Sequence, residues 1–333
     1  MLNPVFCTAF VAALSASLLA GPVVAQGIAR ASMGQYPSKP VRMIVPLAPG
    51  GGSDIVGRII ALELAKVWGQ SVVVDNRPGA GSTVGTAIAA KSPADGYTTL
   101  VSSSSMAISP ALYKKLPFDI RRDFTAVTLI ASQPSILAVH PSVPVGSVRE
   151  LIALAKARNG KLTYASAGPG SATHLGTELL KYAAGIEVLH VPYKSAGQAT
   201  SALLSGETQM LLTNMASMLP LVKAGRIKAL GVSSAKRSTL APELPTIAEA
   251  GVPGFEYATW YGMLVPAGTP GPIVEHIQAD TAKAVRAPEV RQRFSSQGLE
   301  AYGTSPSEFQ AYLGTELAKW VKVVRATGIH IEQ

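Results

Sequence analysis

Val41-Arg42-Met43-Ile44-Val45-Pro46, Leu47-Ala48-Pro49-Gly50-Gly51-Gly52-Ser53-Asp54 and a periodic segment closing on Val67-Trp68-Gly69 run on from one another. The first piece is short, apolar and β-branched, as a buried strand is. The second is too rich in glycine for strand or helix. In the third, Ile55, Val56, Ile59, Ile60, Leu64 and Val67 fall at helical spacing, with Ser53 placed to cap the start and Gly69 to close the end. Strand, glycine turn and helix in that order aim unpaired backbone N–H groups at an anion. The turn has no Gly-Lys-Ser/Thr ending and no G-x-G-x-x-G spacing, so a small anion such as a carboxylate fits it better than a nucleotide. An ordinary tight turn between strand and helix remains open on this stretch alone.

The rest of the chain narrows the class. Of 333 residues, 47% are apolar and 15% charged, the composition of a globular protein with room for two domains. The net charge of +9 comes from scattered Lys and Arg with no aromatic interleaving. That excludes a nucleic-acid groove and leaves a mild field attracting anions. Residues 1–25 carry no charged side chain, and Val23-Val24-Ala25 supplies small residues at a cleavage site. A secretory signal peptide over 1–25 is therefore expected, followed by a disordered lead-in over 26–38. Cys7, the single cysteine, lies in that segment, so the mature chain is expected to hold no disulfide and no thiol chemistry.

Strands and helices alternate after the opening unit. Ser71–Asp75 and Gly96–Val101 read as strands around a helix at 83–90, implying a parallel sheet with helices on both faces. Ser102-Ser103-Ser104-Ser105 follows the third strand as a hydroxyl-rich loop at the sheet's carboxyl end, where open α/β sheets bind ligands. Val127–Ile130 and Ile136–Val139 are two further apolar runs, and Ser147 with Glu150 forms a capping box. A second strand–turn–helix follows: Leu162-Thr163-Tyr164, then Ala165-Ser166-Ala167-Gly168-Pro169-Gly170-Ser171, then a helix from Thr173. Two such turns, on separate α/β units facing one another, could hold a carboxylate between opposed helix N-termini. The contribution is ~0.3–1 kcal/mol per exposed terminus and up to ~2 when partly buried. The last segment adds a strand at 259–266 and helices to about residue 326, and is expected to return to the first domain.

Enzymatic motifs do not assemble. There is no G-x-S-x-G elbow and no H-E-x-x-H, and the five histidines are dispersed. No metal site and no cofactor are expected. His174, beside the second glycine turn, is a candidate ligand residue, with capping or packing as the alternative. Trp260, after a domain crossover, is a candidate cleft wall, with a core position as the alternative.

Several ordered motifs carry a resemblance. Ala48-Pro49-Gly50-Gly51-Gly52-Ser53-Asp54, Asp75-Asn76-Arg77-Pro78-Gly79-Ala80-Gly81, Val191-Pro192-Tyr193-Lys194, Ala248–Phe255 and Leu264–Pro270 are similar to those of the Bug family of periplasmic substrate-binding proteins, associated with tripartite tricarboxylate transporters. The resemblance spans essentially the whole mature chain. It implies an α/β, two-domain periplasmic-binding-protein fold of the type II, Venus-flytrap kind with two crossover connections. It also implies a carboxylate ligand held by Gly51, Gly52, Ser53 and Asp54 of the first turn and by Ser166, Ala167, Gly168, Gly170 and Ser171 of the second. Ser104 and Ser105 contribute from the serine loop, with His174, Asn214 and Trp260 around them. Met106, Ser109 and Thr213 depart from the family's usual His, Asn and Asp, and bear on which ligand is chosen.

The expected protein is thus a monomeric periplasmic carboxylate-binding protein without catalysis, serving the membrane components of a tripartite tricarboxylate-type transporter. The expected domains are 39–138 with 257–333, and 139–256. A sensing or scavenging protein without a transporter is the alternative. A hydrolase using a loop serine is a more distant one.

Overall fold

In the computed structural model, residues 36–113 and 115–328 are described; the expected signal segment and the lead-in as far as residue 35 lie outside them. The end of the lead-in is held in place. Pro37 is buried, and the Ser38 N–H donates to the Tyr97 hydroxyl at 3.0 Å.

The opening stretch folds as its pattern dictates, with one shift. Strand β1 (Val41–Val45) has Met43, Ile44 and Val45 fully buried, as a central strand covered on both faces requires. Helix α1 (Gly52–Trp68) buries Val56, Ile60 and Leu64 one turn apart along a single stripe, and Gly69 closes it at φ 63° with its N–H on the Ala65 carbonyl. Ser53 is not the cap. Gly51 takes the extended conformation of that position, and the helix starts at Gly52, so Ser53 lies inside the first turn.

Beyond β1 the first half-sheet gathers β2 (Val72–Asn76), β3 (Thr98–Ser103), β9 (Ala258–Pro266) and β4 (Phe124–Val139) in the order β2-β1-β3-β9-β4. Between them come a 3-10 turn at Ala80–Ser82, α2 (Thr83–Ala90), α3 (Ser104–Leu112) and the short α4 (Ile120–Asp123). β1 is parallel to β2 and β3, but β9 runs antiparallel to both β3 and β4. The two apolar runs expected near 127 and 136 are one strand, β4. It pairs with β9 as far as Pro134↔Ala258, and from Ser135 its partners are β7 (Met210–Asn214) and β8 (Lys228–Val232). Pro134, which has no N–H to donate, sits where the ladder changes partners.

The second half-sheet continues β4-β7-β5-β6, with β5 (Thr163–Ser166) parallel to β6 (Leu189–Pro192) and to β7. Its helices are α5 (Val148–Arg158), α6 (Ala172–Ala184), α7 (Ala196–Ser205) and α8 (Met215–Lys223). At α5 the Ser147 hydroxyl accepts the Glu150 N–H, while Glu150 reaches back to the Gly146 N–H, so the expected box is displaced by one residue on its return arm.

The chain then returns through β9 to α9 (Gly271–Arg286), α10 (Pro288–Ser296), the two-residue β10 (Glu300–Ala301) beside β4, and α11 (Pro306–Thr327). The Ser305/Glu308 box that opens α11 is complete. Helix α11 packs Phe309, Leu313 and Trp320 into the main core, against α3 and β4. No helix of the described residues is long and apolar enough to cross a membrane.

Candidate functional site

β3 leads directly into α3, so the serine run is not a loop. Ser103 ends the strand in an extended conformation, and Ser104 and Ser105 form the first turn of the helix. Opposite lies the start of α6, where Ser171 caps the helix by accepting the His174 N–H. Between them is a cavity of about 160 Å³. It is lined by the hydroxyl-bearing Ser103, Ser104, Ser105, Ser109 and Thr259, by Ile108, Leu112, Leu175, Tyr113 and Tyr257, and by Gly81, Gly170 and Ala172. None of these lining residues is charged.

The second glycine turn is mostly self-satisfied. The Ala167 N–H donates to the Thr173 hydroxyl at 2.8 Å, the Gly168 N–H to Ser166 Oγ at 3.0 Å, and the Gly170 N–H to His174 Nδ1 at 3.1 Å. The Ser171 N–H goes to the Gly168 carbonyl, and the Ser171 hydroxyl to the same carbonyl at 2.6 Å. Among the described residues, the N–H groups left without a partner at this end are those of Ala172 and Thr173, the first two of α6. Of the two, Ala172 lines the cavity, so the helix terminus meets it while the turn braces that terminus.

The first turn is arranged the other way. The Gly50 N–H goes to Asp54 Oδ2 and the Gly51 N–H to the Ala48 carbonyl, but the N–H groups of Gly52, Ser53 and Asp54 have no partner among the described residues. Asp54 does not present its carboxylate to a ligand. Oδ2 accepts from Gly50 and from Arg58 Nε, both at 2.9 Å, and Oδ1 accepts from Asn76 at 3.0 Å. Burial acts to raise its pKa, and the Arg58, Gly50 and Asn76 bonds outweigh that and hold it below the usual carboxylate value. Ser53 is fully buried with its hydroxyl unpartnered. Tyr261 roofs the turn: a Cβ added at Gly52 would lie 2.1 Å from the Tyr261 hydroxyl. The first turn is not part of the cavity lining described above.

Behind the second turn, three rings stack. His174 lies 4.4 Å from His190 at 16°, and His190 lies 4.8 Å from Tyr164 at 12°. His190 Nε2 meets Ser166 Oγ at 2.6 Å, the Tyr164 hydroxyl donates to Glu178 at 2.6 Å, and Lys181 pairs with the same carboxylate at 2.9 Å. Burial, with His174 alongside, pushes His190 down to about 4, and burial lowers His174 as well. Both rings are therefore neutral at pH 7, and His174 Nδ1, accepting from Gly170, carries its proton on Nε2. Ser166 is fully buried, and no carboxylate bonds the other nitrogen of His190 among the described residues.

Two expected site residues fall elsewhere. Trp260 is fully buried on the opposite side of its strand, edge-on to Phe309 and Tyr312, with Nε1 donating to Glu316 at 3.2 Å; it is a core residue. Thr259 of β9 and Tyr257 just before the strand line the cavity instead, two residues apart as the alternation of extended chain demands. Asn214 caps α8 by accepting the Ser217 N–H at 3.0 Å and does not line the cavity. Sequence reasoning missed Gly81, Tyr113, Ala172, Tyr257 and Thr259 of the lining, and with them its apolar wall: Ile108 and Leu112, at i+4 and i+8 from Ser104, and Leu175. That spacing was visible, but it reads equally as a core stripe.

A sheet in two halves joined by long strands, with a cavity between the helix starts of each half, is the architecture of periplasmic solute-binding proteins. The family described as "Tripartite tricarboxylate transporter family receptor" matches residues 56–329, and the chain belongs to it. It is 36% identical to the protein BugT of Bordetella pertussis over 299 residues, 89% of this chain and 92% of that one. A structure of an R. palustris protein with adipate is 37% identical, covers 89% of this chain and all of its own, and superposes with a TM-score of 0.72. MatC from Rhodopseudomonas palustris with bound malate is 30% identical, covers 86% and 99%, and has a TM-score of 0.69.

Proposed function

We propose that this solute-binding protein captures a small carboxylate in the cavity between α3 and α6, in the periplasm, and delivers it to the membrane components of a tripartite tricarboxylate-type transporter. The observation that carries the reading is the α6 start, whose first two N–H groups have no partner among the described residues and whose Ala172 shares with Ser104 and Ser105 the lining of a cavity without charged side chains. Each N–H bond to a carboxylate contributes roughly 1.5–3 kcal/mol, and the α6 dipole adds to it. The neighbours crystallised with adipate and with malate support a carboxylate over a phosphate. In this reading Ser166, Ala167, Gly168, Ser171 and His174 shape the α6 terminus without touching the ligand, and Gly170 borders it. The backbone N–H groups of Gly52, Ser53 and Asp54 offer a further set of donors once Tyr261 moves aside, with Gly51 held against the Ala48 carbonyl. The two half-sheets act as the two domains, 39–138 with 257–333 and 139–256, and close on the ligand by a hinge movement.

A thermal-shift screen tests this, because a ligand bound only by the native state raises the melting temperature. Aliphatic mono- and dicarboxylates are expected to raise it, and inorganic phosphate and nucleotides to leave it unchanged. A shift with phosphate or nucleotide and none with any carboxylate would overturn the reading.

A further inference from the structure

The cavity has a direction along α3. Ser104 opens the helix, and Ile108 and Leu112 follow on the same face, about 6 and 12 Å further on at 1.5 Å per residue. Across from them, Leu175 lies one turn inside α6. A carboxylate held at the two helix starts therefore leads the rest of its molecule between Ile108, Leu112 and Leu175.

Two hydroxyls along this path have already committed their protons. Ser109 donates to the Met106 carbonyl at 2.9 Å, and Tyr257 to the Ala172 carbonyl at 2.7 Å. Ser103, Ser105 and Ser82 are chained to one another at 2.9 and 3.2 Å. Ser104 is left at the carboxylate end, the hydroxyls of Tyr113 and Thr259 also line the cavity, and Ile108, Leu112 and Leu175 present hydrocarbon alone.

From this the structure assigns a ligand class within the carboxylate reading, on which the assignment rests: the protein selects carboxylates whose body is unsubstituted hydrocarbon and discriminates against hydroxy acids. A ligand hydroxyl turned toward Ile108 and Leu175 loses its bonds to water and gains none from those two side chains. An apolar pocket rejects an added hydroxyl by up to about 100-fold and no more, which sets the scale.

The test is calorimetry with a matched pair, adipate and 3-hydroxyadipate, on the full mature chain and on Ile108→Thr. That substitution keeps the β-branch and brings a hydroxyl to the wall. Adipate is expected to bind about 10–100-fold more tightly than 3-hydroxyadipate to the natural protein, and the ratio is expected to shrink severalfold in Ile108→Thr. Leu175→Thr provides the same comparison from the α6 side should Ile108→Thr fail to melt cooperatively. Equal or tighter binding of 3-hydroxyadipate by the natural protein overturns the assignment. So does a preference that both variants leave unchanged, since the discriminating contact would then lie elsewhere. If adipate and 3-hydroxyadipate both fail while other carboxylates bind, the hydrocarbon assignment fails and the carboxylate reading stands. If no carboxylate binds, the site reading itself has failed.

Discussion

The two glycine turns look alike in sequence and behave as opposites in the structure. Around Gly50–Asp54 the helix start keeps its N–H groups free, but Tyr261 covers it and the Asp54 carboxylate sits within it. Around Ser166–Ser171 the turn uses its own N–H groups internally, yet its helix start borders open space. Donor availability and ligand access are thus separate properties, and a glycine-rich turn guarantees neither. What decides is the neighbour: a tyrosine from β9 in one case, a histidine from the helix's own first turn in the other.

The sharpest way to break this comparison is to crowd each turn. Gly52→Val drives a branched side chain into the buried Tyr261 hydroxyl, and over-packing of this kind costs about 1–3 kcal/mol. A fall in melting temperature of several degrees is expected, visible in differential scanning calorimetry without ligand. Gly168→Val meets only the Tyr193 carbonyl at 3.3 Å, but its φ of 104° is a conformation valine resists. The strain, roughly 1–3 kcal/mol, is relieved by distorting a turn that is partly exposed, so the loss is expected in ligand affinity, at least tenfold, with a smaller change in melting. Were Gly52→Val to melt like the natural protein while Gly168→Val melted far lower, the contrast between a roofed and an open turn would be wrong.

Acid sharpens the second half of the comparison. His190 is held at about 4 in the folded protein against an ordinary value near 6.5. Between those values the unfolded chain binds more protons than the folded one, so stability rises with pH across this window and is lost as pH falls toward 4. The groups facing the ring are Tyr164, His174, Ser166, Glu178 and Lys181. Lys181 and His174 oppose the imidazolium, and Glu178 favours it. In His190→Phe, which keeps a flat ring between Tyr164 and His174 but cannot be protonated, the drop in melting temperature from pH 6.5 to 4 is expected to be shallower than in the natural protein. Parallel pH profiles would show that the stack does not titrate on its own account.

The fold was legible because its signals are local. Val41–Val45, the stripe Val56/Ile60/Leu64, Gly69 and the Ser305/Glu308 box each name an element without reference to anything distant. The joined strand β4 was not, since Gln133-Pro134 looks like a break unless β9 is known to lie alongside. The site was half legible for the same reason. Glycines and serines marked where helices begin, but the roof over Gly52, the internal bonds of Gly168 and Gly170, and the inward turn of Tyr257 in place of Trp260 are contacts between residues far apart in the chain. Asp54 shows the limit most clearly: its place in the motif invites a ligand role, and its three partners, Gly50, Arg58 and Asn76, take it for the turn itself.

The smallest expected effect tests whether any side-chain charge near the second turn holds the ligand. Lys194 follows the Pro192-Tyr193 pair that packs beside Gly168, so its position alone would make it a plausible counter-ion. Its backbone N–H bonds Gln198 at 3.0 Å, and the residue is exposed, and it is not among the residues lining the cavity. An exposed cation at such a site adds only to a field that salt screens within about 10 Å. Lys194→Ala is therefore expected to change carboxylate affinity by less than about 0.5 kcal/mol, the scale of ordinary surface substitutions. It should also leave affinity equally insensitive to salt between 50 and about 300 mM. Calorimetry at the two salt concentrations decides. A large loss at low salt that disappears at high salt would place a charge at the site, and the helix start at Ala172 would then be an assistant to Lys194.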